Sequence, residues 1–260
     1  MNYNWDYVKK STLWDYEDLL KKLNAVLAYP VIRNAYNHSM PQAVDFARHL
    51  FSQSNFAVGE FPAALITTFG RLRAVGVSNW ADLLTRVATS GTCASFIEQN
   101  SLVFEEVIDV LNYLLRWAFP FHTATRELLD HEDPQEMEYY AIFKRHKLMC
   151  SFDLLERGCT QVERQSLAGQ TSLPLHFVTA VSHRADIARL PYVRRKTILP
   201  LCGAGYNTLA KIAAADLATL EVDMDAYFQR TRGKPWDDFK SVIVLRGLVT
   251  GANALPELLL

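Results

Sequence analysis

The sequence predicts an all-α protein of many short helices, in which one two-helix unit recurs. Three observations carry this. Half of the 260 residues are apolar, and along most of the chain they return at three- and four-residue spacing, the period of one helical face. No run of four or more β-branched or aromatic residues alternates with polar ones, so no convincing strand is predicted. Finally, Leu190–Ala213 has a second copy at Phe61–Leu84 under a shift of 129 positions without a gap. Pro62 falls on Pro191, Thr68 on Thr197, Leu72 on Leu201, Gly76 on Gly205 and Trp80 on Leu209. A recurring unit too small to bury its own apolar face points to repeated packing. A partial third copy is expected at Leu154, Gly158, Cys159 and Val162.

Taken in order, Thr12 and Asp15 read as a capping box. Behind it Leu13, Tyr16, Leu20, Leu23 and Leu27 trace one helical face, for core packing or a dimer contact. Pro30 is expected to end that helix and Pro41 to open the next. Val103, Val107, Val110, Leu111, Leu114 and Ala118 cover more than half a helix circumference, which predicts a central helix stopped by Pro120. The stretch 121–140 carries Glu127, Asp130, Glu132, Asp133, Glu136 and Glu138 around Pro134, and reads as an acidic, solvated linker. The expected organisation is therefore an N-terminal helical region at 1–120 containing the 61–84 unit, a linker at 121–140, and a C-terminal tandem domain at 141–260.

In that C-terminal part, Thr160 and Glu163 form a second capping box, and Ser172 and Pro174 open the helix of Phe177, Val178, Val181 and His183. Val193, Thr197, Ile198 and Leu201 then suit a short helix closed by Gly203 and Gly205, with Asn207 as N-cap of the next. Asp216 N-caps a helix ending near Gly233, and Trp236, Phe239, Val242, Ile243 and Leu245 form a last one.

Leu190-Pro191-x-Val193-x-x-Lys196-Thr197-Ile198 resembles the hairpin of helix-hairpin-helix modules, whose usual form is Leu-Pro-Gly-Ile-Gly-Pro-Lys-Thr-Ala. The wider run from about Phe152 to Leu220 is similar to a bacterial family of tandem helix-hairpin-helix domains of unknown function. It shares that family's Leu154-Leu155-x-x-Gly158 turn and its Arg184-Ala185-Asp186 segment. The resemblance implies tandem, degenerate helix-hairpin-helix-like units and binding of a DNA phosphate by hairpin backbone N–H groups. The two hairpin glycines of the family are Tyr192 and Arg194 here, and Ala63 and Leu65 in the upstream copy. Contact with phosphate is therefore expected through side chains.

Charge narrows the function classes. Lys plus Arg number 27 against 28 Asp plus Glu, a net charge of −1, so nucleic-acid binding requires a local basic patch. Such a patch lies between His183 and Lys211, where six cations face only Asp186. The expected nucleic-acid-binding residues are Arg184, Arg189, Tyr192, Arg194, Arg195, Lys196, Thr197 and Lys211, contacting phosphate with little base readout. The alternative is a protein-interaction or scaffolding module or homo-oligomer, with an aromatic N-terminus (Tyr3, Trp5, Tyr7, Trp14, Tyr16) as anchor.

No catalytic signature is present: no Gly-x-Ser-x-Gly elbow, no phosphate loop with its lysine and no strand to seat a dinucleotide. His176, His183 and Cys202 lack the paired spacing of a zinc site, and Glu221 and Asp225 lack a second carboxylate cluster. No metal or cofactor is expected, and no enzymatic activity. The four cysteines lack a C-x-x-C pair, the start MNYNWDYVKK lacks a signal-peptide core, and the most apolar helix carries charges. Together these predict a cytoplasmic protein without a membrane span.

Overall fold

In a computed structural model, which describes residues 3–53, 59–191, 193–234, 236 and 242–260, the chain is all-α and divides into two compact units, Met1–Pro120 and Phe121–Leu260. Among the described residues there is no strand, only two isolated bridges, Ser39 with Asn79 and Ala124 with Cys150.

The first unit contains α1 (Trp5–Thr12), α2 (Tyr16–Leu27), α3 (Pro30–Tyr36), α4 (Met40–Gln53), α5 (Phe61–Ala74), α6 (Trp80–Arg86), α7 (Ser90–Gln99) and α8 (Phe104–Tyr113). A π-helical turn, Leu114–Ala118, extends α8. Thr12 ends a helix instead of starting one, because Asp15 is the N-cap of α2. Pro30 opens α3 at its first turn, where its missing N–H costs nothing. The wide apolar face of α8 is buried at Val107, Ile108, Val110 and Leu111, against α1 and α5. Val103 lies outside that face, as an exposed N-cap. Phe69, Trp80 and Tyr113 meet at the centre with ring centroids 5.1 to 6.5 Å apart.

The second unit begins with a 3-10 turn, Thr125–Leu128. It continues through α9 (Pro134–Arg145), α10 (Ser151–Glu156), α11 (Gln161–Thr171), α12 (Leu175–Ile187), α13 (Arg195–Gly203), α14 (Leu209–Ala213), α15 (Leu217–Arg232) and α16 (Val242–Ala254). Of the expected last helix, Phe239 lies outside the described residues, and Trp236 precedes α16. At the hub stands α12, packed on α10, α11, α13, α14 and the 3-10 turn. The expected linker at 121–140 is folded into this unit. Leu128 and Leu129 are fully buried, and Glu136 is buried with its carboxylate on Arg184. Two leucines without solvent and a buried ion pair make this stretch part of the core.

One turn geometry, followed three positions later by an N-cap, occurs three times among the described residues; the same turn without that spacing is found at Ser101 and Ser172. A residue in the left-handed region follows a helix, and the next N–H reaches back five positions, satisfying a carbonyl of the last helical turn. The three residues are Gly76 (φ 83), Lys147 (φ 58) and Gly205 (φ 103). The bonds are Val77 to Leu72, Leu148 to Phe143 and Tyr206 to Leu201, at 2.8 to 3.0 Å. Three positions after each turn residue stands an N-cap, Asn79, Cys150 or Thr208.

Between the first two turns the agreement extends further, at a constant shift of 71 positions. Thr89 and Thr160 both close capping boxes, Ser101 and Ser172 both adopt positive φ, and Phe104 and Leu175 both start the long helix that follows. The partial third copy expected around Gly158 is therefore misplaced, because the recurring turn is at Lys147. Gly203 is also not a left-handed terminator. A Cβ there would come within 2.1 Å of the Tyr227 ring, so close packing of α13 on α15 requires the glycine.

Candidate nucleic-acid interface

The expected basic residues separate by burial. Arg189 has no exposed side-chain surface. Its Nε donates to Asp186 Oδ1 at 2.8 Å and its Nη2 to the Pro256 carbonyl at 2.9 Å. Arg184 holds Glu136 with two parallel bonds, at 2.8 and 3.0 Å, and also donates to the Leu128 carbonyl. Thr197 is buried within α13. These three are corrected out of the interface: their positions on inward faces commit them to folding. Arginine reads as basic in a sequence whether it faces water or a carboxylate. Tyr192 lies outside the described residues.

Arg194, Arg195 and Lys196 remain at the surface. Arg194 is the N-cap residue of α13, with extended backbone, and donates to its own Val193 carbonyl. Its guanidinium stands 5.9 Å from the Phe121 ring. Val193 and Ile198, both buried, anchor the backbone on either side of the three cations. No side chain caps α13 at its start, so the positive end of the helix dipole adds to the three side chains. Lys211 is exposed, but its ammonium closes the Gly205 turn, donating to the Gly205 carbonyl and to Asn207 Oδ1. Asn207 is thus not the N-cap of α14, a role held by Thr208.

Sequence reasoning missed a second group of surface cations, Lys144, Arg145 and Lys147, at the end of α9. The acidic run just upstream masks it in any averaged window. The Lys-Arg-His-Lys run at 144–147 is itself the signal.

Among the described residues, no three His, Cys, Asp or Glu side chains converge as metal ligands, and no helix is long and apolar enough to cross a membrane. Burial pushes the Cys93 and Cys159 thiols up and Cys202 up to about 11, opposite to the shift that activates a thiol. In the aromatic N-terminus Tyr16 is buried, and Tyr3, Trp5 and Tyr7 are half-buried. Trp5 packs against Tyr16 and Phe104, Tyr3 stacks on Phe104, and Tyr7 donates to Asp109. Trp14 remains exposed, with the Lys22 ammonium 3.8 Å above its ring.

Comparison with protein-family models, with curated proteins and with solved structures gave no match.

Proposed function

We propose that the second unit binds nucleic acid, largely without regard to sequence, through the phosphate backbone and without catalysis. The observation that carries this reading is the start of α13. There Arg194 and Lys196 are exposed and Arg195 half-buried, side by side at a helix end that no side chain caps. The reading draws on the helix-hairpin-helix resemblance of the sequence, with side chains taking the place of the absent glycines. Neutral overall charge is compatible with a local site, because screening confines each charge to about 8–10 Å at ordinary ionic strength.

The test is fluorescence anisotropy with a labelled duplex and a matching single strand at low and moderate salt, with the Arg194/Arg195/Lys196→Ala variant in parallel. Salt-sensitive, sequence-indifferent binding that the variant loses supports the reading. Absence of binding at low salt, where attraction is strongest, refutes it.

A second reading, a protein-interaction module, has one observation in its favour. Leu13 and Trp14 present an exposed apolar pair at the turn between α1 and α2, with Leu13 at φ 70. A stable homo-oligomer, or a co-purifying protein lost with Trp14→Ala, together with no retained nucleic acid, selects it.

A further inference from the structure

Lys147 occupies a left-handed position, φ 58; among the described residues the other turns with the same reach-back bond carry glycine at Gly76 and Gly205 and a short polar side chain at Ser101 and Ser172. An L residue with a Cβ is disfavoured there and glycine is not. Lysine has no local compensation of the kind Asn or Asp obtains from its short polar side chain. Nor does it serve the fold through its charge. The carbonyl beside it, that of His146, is already held by Arg157 Nη1 at 3.0 Å, as Gly76 is held by Arg86 in the first unit. Among the described residues the Lys147 ammonium has no hydrogen bond, ion pair or ring partner. An unfavourable backbone state therefore holds an uncommitted cation at the surface, a pattern of strain that accompanies function.

We propose that Lys147, with Lys144 and Arg145, forms a second phosphate-contacting lobe of the nucleic-acid surface, and that the ligand spanning both lobes is a duplex. This inference rests on the nucleic-acid reading of the second unit and extends its footprint. The segment 121–125 joins the two lobes. At one end the Arg194 guanidinium stands over Phe121. At the other, the Ser151 N–H donates to the Thr123 carbonyl at 2.7 Å and the Thr125 N–H to the Met149 carbonyl at 2.9 Å, two residues beyond Lys147.

Even at full extension the backbone part of this path, from Phe121 through Thr125 and Met149 to Lys147, is about 25 Å, within the roughly 34 Å of one duplex turn. His122 and Arg126, both exposed, lie along it. Of the acidic residues nearby, Glu127 adjoins Arg126 and Glu138 lies within α9. Glu132, Asp133 and Glu136 flank the far end of α9, whose 12 residues measure about 18 Å. Asp153, the carboxylate nearest in sequence, accepts from the Met149 and Cys150 N–H groups.

The decisive variants are Lys147→Gly, which removes charge and strain together, and Lys147→Gln, which removes the charge alone. Each is titrated against a 16-base-pair duplex across a salt series, beside the wild-type chain and the Arg194/Arg195/Lys196→Ala variant. Losing one phosphate contact lowers the slope of log affinity against log salt by about 0.9, and weakens binding about eightfold near 0.1 M salt. Lys147→Gly is expected to bind that much more weakly while its melting midpoint rises by about 1–3 °C. Lys144/Arg145/Lys147→Gln is expected to lower the slope by roughly 2 to 3. If the wild type binds and the 194–196 variant does not, while both Lys147 variants bind as the wild type does, the second lobe is refuted and the hairpin reading stands. If the wild type itself does not bind the duplex at low salt, both fall.

Discussion

Arg184 and Glu136 face each other through two parallel guanidinium–carboxylate bonds, with little of either side chain in contact with water. The pair joins the hub helix α12 to the first turn of α9. Glu136 also accepts from the Asp130 N–H at 2.7 Å, so one carboxylate orders the approach to α9 as well. Removing one partner leaves the other buried and uncompensated, which costs about 3–5 kcal/mol. Arg184→Ala is expected to destabilise the second unit by that order, read as a lower urea midpoint. The Arg194/Arg195/Lys196→Ala variant is expected to stay within about 0.5 kcal/mol of the wild type. Equal stability of Arg184→Ala and wild type would show that the pair does not hold these elements together.

Gly203 and Gly205 stand two residues apart and are required for different reasons. Gly205 has φ 103 and open space around it, whereas Gly203 is pressed against the Tyr227 ring. Gly203→Ala is expected to cost about 1–3 kcal/mol through forced displacement of that ring, and Tyr227→Ala in the same chain should recover most of it. Gly205→Ala is expected to lose about 1–2 kcal/mol of backbone energy, with no rescue by Tyr227→Ala. A double-mutant cycle by chemical denaturation separates the two, since only the first pair should show coupling.

The all-α class was legible because helical periodicity is local: every apolar face from Leu19 to Met224 is written in its own spacing. Caps were legible at Thr160 and Asp216, where the side chain makes the bond, but not at Thr208, because the neighbouring Asn207 offers the same chemistry. The turn at Lys147 was not, because its signal is a backbone angle that lysine seldom adopts. The interface was half legible for a related reason. Arg189 and Arg184 carry the same charge as Arg194, and only the fold decides that the first two meet Asp186 and Glu136 while the third meets solvent. The acidic linker was misread on the same ground, since Glu136 appears solvated until Arg184 is brought to it.

Arginines also fasten the last residues of the second unit. Arg164 donates to the carbonyls of Gly158, Cys159 and Leu260, at 2.9 to 3.0 Å, and the Leu260 N–H returns to the Cys159 carbonyl. Arg189 reaches the Pro256 carbonyl. Arg164→Met retains much of the packing volume but strips donors from three carbonyls. It is expected to cost about 2–4 kcal/mol and to speed amide hydrogen exchange at Glu257–Leu260 before the core of α12 is affected. Unchanged exchange at those amides would separate Arg164 from the fastening.

His183, on α12, supplies a pH dependence of defined sign. Burial holds its pKa below the ordinary histidine value, and the nearby Arg164 and Lys211 charges add to this against the opposing pull of Asp186. The unfolded chain therefore takes up the proton more readily than the folded one, so stability rises with pH through the interval between the folded and unfolded values. It is fully present above the unfolded value, near 6.5, and is lost as the solution is acidified below it. The second unit is expected to melt at a lower temperature at pH 5 than at pH 7.5, and His183→Gln should remove part of that difference. A melting profile as steep in His183→Gln as in the wild type would assign the acid sensitivity to other groups.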